Sequence, residues 1–306
     1  MSEIRVSSPA SVANVVCGFD CLGFALSEPC DEMIIRLIEK KTVRIINRDD
    51  FNLPTEPKLN VAGASLLSML QQIEGNFGFE VEITKHIKPG SGIGSSSASA
   101  AGAVVAANEL LNLRFSKLEL VEFAMDGEKV ASGERHADNV APCIFGGFTL
   151  VRSVNPLDII ALDFPPMFVT IIHPQIEIKT SEARKMLPSR VSLKDAIRQW
   201  SNVGALVSGL QKGDYKLISR SLEDFIVEPV RKSLIPKFER IINESVKAGA
   251  LGGGISGSGP SIFMLSQTLK TAQEVENVMR DIYSKTAIDF NIYQSEINAE
   301  GVKVIQ

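Results

Sequence analysis

Residues 88–98 read Lys88-Pro89-Gly90-Ser91-Gly92-Ile93-Gly94-Ser95-Ser96-Ser97-Ala98 and run into a string of small apolar residues ending near Leu111. No other stretch restricts the fold as tightly. Glycine lets a backbone reach positive φ and approach a ligand closely. The small residues behind it (ASAAGAVVAANELL) predict a tightly packed helix. A glycine turn feeding a helix N-terminus aims several free N–H groups at one spot, where the macrodipole favours an anion. The stretch therefore predicts a phosphate cradle. It is not the common nucleotide P-loop, because no Gly-Lys-Ser/Thr follows the glycines, and it lacks the Gly-x-Gly-x-x-Gly spacing of a dinucleotide fold. A flexible connector would not lead straight into such a helix.

A second glycine cluster, AGALGGGISGSGP, spans Ala248 to Pro260. Gly252-x-Gly254-x-x-Gly257 matches the dinucleotide spacing, but a predicted helix precedes it and a predicted strand, SIFMLS, follows it. The fingerprint requires strand first and helix second. The segment is expected to be either a turn joining helix to strand or a second backbone surface pressed against the first cradle.

The chain has 306 residues, enough for two domains with sizeable cores. Its net charge of −4 and the lack of a basic block exclude nucleic acid and anionic membranes as expected partners. No apolar run reaches membrane-spanning length, and MSEIRVSS has no apolar leader core, so a cytoplasmic protein is expected. Cys17, Cys21, Cys30 and Cys143 have no Cys-x-x-Cys or Cys/His ligand spacing, which predicts reduced thiols and no zinc site. Cys17 and Cys21 are read as small buried filler.

Strands are predicted at 33–39, 42–46, 79–84, 159–162, 167–172, 261–266, 289–293 and 302–305, with helices at 60–73, 192–210, 216–225, 237–247 and 272–284. The apolar series Leu193, Ile197, Trp200, Val203, Val207 and Leu210 is expected to face the core. Ser116-x-x-Glu119 is a capping box that opens a helix over 118–130 and puts Glu128 in its last turn, where a carboxylate opposes the macrodipole. Residues 133–151 read as an irregular polar segment ending in a strand. Strands and helices mix without regular βαβ alternation, so an α+β fold of two domains is expected, 1–155 and 156–306.

Three ordered motifs carry a family resemblance. They are SSPASVANVVCGFDCLGFAL (Ser7–Leu26), PGSGIGSSSASAAG and LGGGISGSGPS. Together they resemble the galactokinase, homoserine kinase, mevalonate kinase and phosphomevalonate kinase (GHMP) superfamily. Three further patches are similar to its homoserine kinase branch: His136-Ala137-Asp138-Asn139-Val140-Ala141-Pro142, Lys179-Thr180-Ser181-Glu182-Ala183-Arg184, and Val227-Glu228-Pro229-Val230-Arg231. The pattern departs from relatives at Ile93, at Ser97 and at Val15-Val16-Cys17.

The resemblance implies an N-terminal domain like domain 2 of ribosomal protein S5, a ferredoxin-like C-terminal domain and an active site in the cleft between them. It implies transfer of a phosphoryl group from ATP to the hydroxyl of L-homoserine, a step towards threonine, and a homodimer. ATP would be held by Lys88, Pro89, Gly90, Ser91, Gly92, Ile93, Gly94, Ser95, Ser96, Ser97 and Ala98. Asn60 would lie near the adenine, or would simply be a helix N-cap. Mg²⁺ would meet Glu128 and a loop hydroxyl, with Ser96 preferred and Ser95 or Ser97 as neighbours. The acceptor's ammonium would meet Asp20, and its carboxylate the forks of Arg184 and Arg231. Asn14 and Asn139 would hydrogen-bond the acceptor, with His136 and Thr180 as lesser contacts. Asn139 and Arg184 are the residues expected to act on the reacting groups. No catalytic base is assigned, and Asp138 is not favoured for that role. A sibling enzyme acting on mevalonate or a sugar would not need both charge signs at the acceptor. A non-catalytic relative would be expected to have lost the loop serines or Glu128.

Overall fold

The computed structural model describes residues 3–112 and 114–305, with Ser132 described by its backbone alone. Met1, Ser2, Leu113 and Gln306 lie outside the described residues.

The first half runs β1 (Glu3–Ala13), β2 (Leu22–Ile38), β3 (Val43–Asn47), α1 (Val61–Gln71), β4 (Gly78–Thr84), α2 (Ser95–Leu110), α3 (Lys117–Ser132), α4 (Val140–Phe145), β5 (Phe148–Val154) and β6 (Leu157–Leu162). The second half continues with β7 (Phe168–Pro174), α5 (Thr180–Lys185), α6 (Leu193–Lys212), α7 (Tyr215–Ser221), α8 (Glu228–Arg231), α9 (Phe238–Lys247), β8 (Gly252–Ile255), β9 (Ile262–Ser266), α10 (Leu269–Tyr283), β10 (Phe290–Glu296) and β11 (Lys303–Val304).

One sheet has the order β11-β1-β2-β4-β3, with β5 on the other end of β2 and β6 on β5. β3 and β4 run parallel and are joined by α1, a single crossover that the sequence did not suggest. α1, α2 and α3 cover this sheet over a core that includes Met33, Ile35, Leu66, Phe79 and Val81. The second sheet has the order β10-β7-β9-β8, all antiparallel. Its β7–helices–β8–β9–α10–β10 sequence is the ferredoxin-like pattern, as expected.

α2 is buried almost all round because its residues are small. A Cβ on Gly102 would stand 2.9 Å from both Ser8 Cβ and Met33 Sδ. Alanine and serine faces thus let β1 and β2 approach, and Ser8 Oγ donates to Ala98 O at 2.6 Å. The two sheets share apolar packing. Phe24 stacks on Phe148 at 4.8 Å and meets Phe263 of the second sheet at 5.7 Å, and Leu26 bridges to Ile297.

Several sequence expectations change. Ser7–Ala13, read only as a motif, is most of β1; Pro9 is accommodated by the register shift between Pro9 and Ser11. Gly252–Ile255, read as a turn, is a strand: a Cβ on Gly253 would stand 1.9 Å from Phe263 O, so glycine permits close contact with β9. The irregular segment contains α4. The helix expected to reach Phe225 stops at Ser221. α3 continues to Ser132 and ends on Gly133 in the left-handed region, so Glu128 lies two residues further from the helix end than expected. On α6 only Leu206, Gly209 and Leu210 are buried, while Leu193, Ile197 and Trp200 are exposed rather than core. The division expected at 155/156 falls within the β5–β6 hairpin; by sheet membership the change comes between Leu162 and Phe168. Of the two cysteines read as buried filler, Cys17 is buried and Cys21 only half-buried, and all four are free thiols.

Candidate active site

The cradle forms as the glycines require. Gly90, Gly92 and Gly94 have φ of 75°, 81° and 69°. Gly94 is the N-cap of α2 and makes no side-chain capping bond, so the first-turn N–H groups of α2 are left to a ligand. The loop's carbonyls are turned into protein instead. Ser261 Oγ donates to Ser91 O at 2.6 Å, Ser256 Oγ to Gly92 O at 2.7 Å, and Ser11 N–H to Ile93 O at 3.1 Å. The second glycine cluster is therefore pressed against the first, as one of its two readings held. A Cβ on Gly92 would meet Gly259 O at 2.5 Å.

Above the cradle lies a cavity of about 450 Å³ that brings together Asn14, Asp20, Gly90, Gly92, Gly94–Ser97, Glu128, His136, Asn139, Thr180, Arg184 and Arg231. Most of the residues singled out in the sequence thus converge. Ser91, Ile93 and Ala98 are in the loop segment but turn inwards, each fully buried. Lys88 Nζ donates to Gln175 Oε1 at the loop's outer edge. Asn60 caps α1: its Oδ1 accepts from Gly63 N–H at 3.2 Å and its Nδ2 donates to Pro54 O at 2.8 Å. Both ends of that amide are engaged in the protein, which favours the N-cap reading.

On the cradle side, Ser96 Oγ donates to Glu128 Oε2 at 3.2 Å. Burial pushes the Glu128 carboxyl up to about 7, against the Ser96 and Ser97 hydroxyls and the more distant Lys85 charge, which act to lower it. Ser95 is used differently: its hydroxyl donates to Ile87 O at 2.8 Å.

The opposite wall carries side-chain charge. Arg184 grips Asp20 in a fork, Nη1 to Oδ2 at 3.1 Å and Nη2 to Oδ1 at 3.0 Å. Burial opposes the Arg184 charge, and the Asp20 bonds together with the Asp20, Glu134 and Asp138 charges more than offset it, holding the guanidinium above its ordinary value. Arg231 is 3% exposed and donates only weakly, to Ala183 O and Gly257 O at 3.3 Å each. Burial lowers its pKa. A guanidinium held by neutral carbonyls at a cavity wall is a receptor for an anion. Phe19 lies between the two arginines, with ring-to-guanidinium distances of 5.4 and 5.1 Å. His136 sits against Arg184, Nε2 to Nη2 at 3.2 Å, with Glu134 Oε2 3.3 Å from the same nitrogen, and burial lowers its pKa. Thr180 Oγ1 pairs with Ser258 Oγ at 3.1 Å.

Asn14 has a structural task. Its Oδ1 accepts from Asp20 N–H at 3.0 Å and its Nδ2 donates to Gly257 O at 2.8 Å. Asn14, Val15 and Val16 have φ of 73°, 41° and 62°. Two β-branched residues in the left-handed region are costly, and such strain persists where the surroundings impose it. The departure from relatives noted at Val15-Val16 thus falls on the turn that aims Asp20. Asn139 Oδ1 accepts from Ser11 Oγ at 2.9 Å.

Sequence reading missed Phe19, Ser256 and Ser261, although all three stand inside quoted motifs. It named Asp138 only to set it aside as a base, and gave no sign that this cavity residue is 5% exposed. Burial first, then the Asp20 charge, pushes its carboxyl up to about 7. Nothing in the sequence marks that burial.

Comparison with known proteins agrees with this geometry. The profile described as GHMP kinases N terminal domain matches residues 60–147, and that described as GHMP kinases C terminal matches 206–285. The chain belongs to the GHMP kinase family. Its whole length aligns with homoserine kinases. One from Chlorobium phaeovibrioides is 44% identical over 320 residues, covering 100% of both chains. One from Methanococcus maripaludis is 37% identical over 93% of this chain and 94% of its own. The crystal structure of homoserine kinase from Cytophaga hutchinsonii superposes with a TM-score of 0.95 at 47% identity, covering 100% of this chain and 98% of that one. An L. major mevalonate kinase, at 16% identity and TM-score 0.71, shares the fold.

Proposed function

We propose that the chain transfers the terminal phosphoryl group of ATP to the side-chain hydroxyl of L-homoserine, with both substrates in the 450 Å³ cavity. One observation carries the reading: the bared N-terminus of α2 and Glu128 face Asp20, Arg184 and Arg231 across a single cavity.

Homoserine carries an ammonium, a carboxylate and a primary alcohol. Its ammonium takes Asp20 and its carboxylate takes Arg231 and Arg184, so the existing Asp20–Arg184 pair is exchanged for two pairs with a zwitterion. The alcohol then points towards the cradle. With the Asn139 carbonyl held by Ser11, the Asn139 amide NH₂ is the group left to meet the alcohol oxygen. The α2 amides hold the phosphates in line, and phosphoryl transfer is mostly such positioning and charge stabilisation. The alcohol oxygen attacks phosphorus, the bond to ADP breaks, and as the P–O bond forms the alcohol proton is released to water, no protein base being assigned.

Glu128 with the Ser96 hydroxyl is a hard-oxygen donor set suited to Mg²⁺, and a buried carboxylate with a raised pKa is stabilised by a cation. Among the described residues no cluster of three or more His, Cys, Asp or Glu could form an all-protein metal cage. Mg²⁺ characteristically relies on one or two carboxylates plus substrate phosphates. Bound there, the ion would neutralise phosphate charge.

No helix among the described residues is long and apolar enough to cross a membrane. A cytoplasmic homodimer remains part of the proposal, and sedimentation at twice 33.2 kDa is the expected result. The function is tested by coupled ADP release with homoserine, mevalonate, galactose and serine. Homoserine should be turned over far faster than the others; equal or better turnover of mevalonate or galactose would overturn the reading.

A further inference from the structure

Beneath the cradle, out of reach of either substrate, lies a buried ion pair. Asp31 on β2 and Lys85 just after β4 have side chains 0% and 2% exposed. Asp31 Oδ1 accepts the N–H groups of His86 at 2.8 Å and Ile87 at 2.9 Å, and Asp31 Oδ2 pairs with Lys85 Nζ. Lys85 Nζ also donates to Ser95 O at 2.9 Å and Ser99 Oγ at 2.8 Å, both on α2. Ser95 Oγ closes the ring by donating back to Ile87 O at 2.8 Å.

Every donor of the ammonium is thus used, on two different elements, β2 and α2. Residues 85–87 are where the chain enters the glycine loop, and Ser95 is where it leaves. Removing two charges from water is costly, and a hydrophobic pair of similar volume is often as stable or more so. Global stability is therefore a poor account of this pair. Its geometry, bonded to both ends of one ligand loop, is a better one.

We infer that Lys85 and Asp31 are positioning residues: they clamp the entry and exit of the glycine loop so that its amides are aligned for the ATP phosphates. Glycines supply the loop's permitted conformations, and the clamp selects one of them. The inference rests on the kinase reading above and concerns the ATP half of the site alone.

The test separates positioning from bulk stability. Lys85→Met alone leaves Asp31 buried and uncompensated, so this variant is expected to be destabilised. Asp31→Asn/Lys85→Met removes both charges and should recover much of the unfolding temperature. It still lacks the tie to Ser95 and Ser99. Its KM for ATP, and its dissociation constant for ATP measured without homoserine, should stay raised by about 10-fold or more, the cost of a lost charge-assisted bond. Its KM for homoserine should stay within about 2-fold of the parent, since sites without shared partners act nearly independently. Lys85→Arg in the otherwise native chain, which can keep the charge and one tie, should recover part of the ATP affinity.

A double variant with parental ATP affinity overturns the inference, as does one whose two KM values rise together. Should the double variant not fold, Ser99→Ala keeps the ion pair and removes one tie. It should raise the KM for ATP by about 2- to 5-fold at an unchanged KM for homoserine, and no change in either would equally overturn the inference. Failure of the kinase reading is distinguishable, because the parent protein would then not turn over homoserine at all.

Discussion

In the proposed function, the two walls of the cavity recognise their ligands by different means. The cradle uses backbone: amides at the start of α2, reached through glycines at positive φ, with carbonyls tied back by Ser11, Ser256 and Ser261. The opposite wall uses side-chain charge from separate segments, Asp20 before β2, Arg184 in α5 and Arg231 in α8. A backbone site binds any ligand with the right phosphates, whereas a charged wall discriminates. Substitutions should therefore divide by substrate.

The largest effect is expected at the carboxylate on the cradle side. Glu128→Gln should lower kcat by about 1,000-fold or more, the scale of lost electrostatic stabilisation of a transition state. Steady-state rates across a Mg²⁺ titration check it, and near-normal turnover would remove Glu128 from the metal's surroundings. Next come the arginines. Arg231→Met should raise the KM for homoserine by about 100-fold, corresponding to roughly 2–3 kcal/mol for a lost charge-assisted pair, with the KM for ATP nearly unchanged. A rise in both would blur the division between the walls.

Within the cradle, two glycines with similar φ should behave differently. A Cβ on Gly94 would stand 2.1 Å from Ser11 Oγ and 3.1 Å from Asn139 Oδ1, whereas one on Gly90 meets nothing within 4 Å. Gly90→Ala should cost about 1–2 kcal/mol, the left-handed penalty alone. Gly94→Ala should cost more and also weaken ATP binding, as thermal unfolding with and without ATP would show.

A further effect concerns pH. The Glu128 and Asp138 carboxyls, both pushed up to about 7, hold their protons more tightly in the folded protein than in the unfolded chain. The stability they contribute is present at low pH and fades as pH rises from the ordinary carboxylate range through about 7. The substrate-free protein should lose several kcal/mol across that window, on the order of 3 kcal/mol for each carboxyl. Glu128→Gln should flatten the decline while abolishing activity, and an unchanged slope in an unfolding series would count against the raised carboxyl.

The same contrast explains what the sequence revealed. Gly90 to Ala98 is contiguous, so its chemistry could be read from local spacing, and the helix behind it followed from the run of small residues. The charged wall could not be read that way. Arg184 and Arg231 were found through motif resemblance, since a lone arginine carries no local mark of its destination. Burial at Asp138, and the ion pair of Asp31 with Lys85, arise from tertiary packing that no window of sequence encodes. The exposed Leu193, Ile197 and Trp200 show the converse failure. Their spacing matched a core-facing stripe, but only the C-terminal half of α6 packs into the core, where Leu206 and Leu210 join the cluster of Phe148, Leu162 and Val169. Gly252–Ile255 was missed because glycine argues against a strand until the close approach of β9 is known.

The bonds from Ser256 and Ser261 to the cradle carbonyls, together with the phenylalanines packed between the sheets, give the cavity a set width. It works as a ruler. An amino acid anchored by its two charged ends presents its alcohol at a distance fixed by the number of methylenes between them. Serine, one carbon shorter, would be gripped at the same anchors with its oxygen short of the phosphorus, and about 1 Å of misplacement is enough to cost 100-fold in rate. Rigidity far from the reacting atoms would thus measure the length of the acceptor.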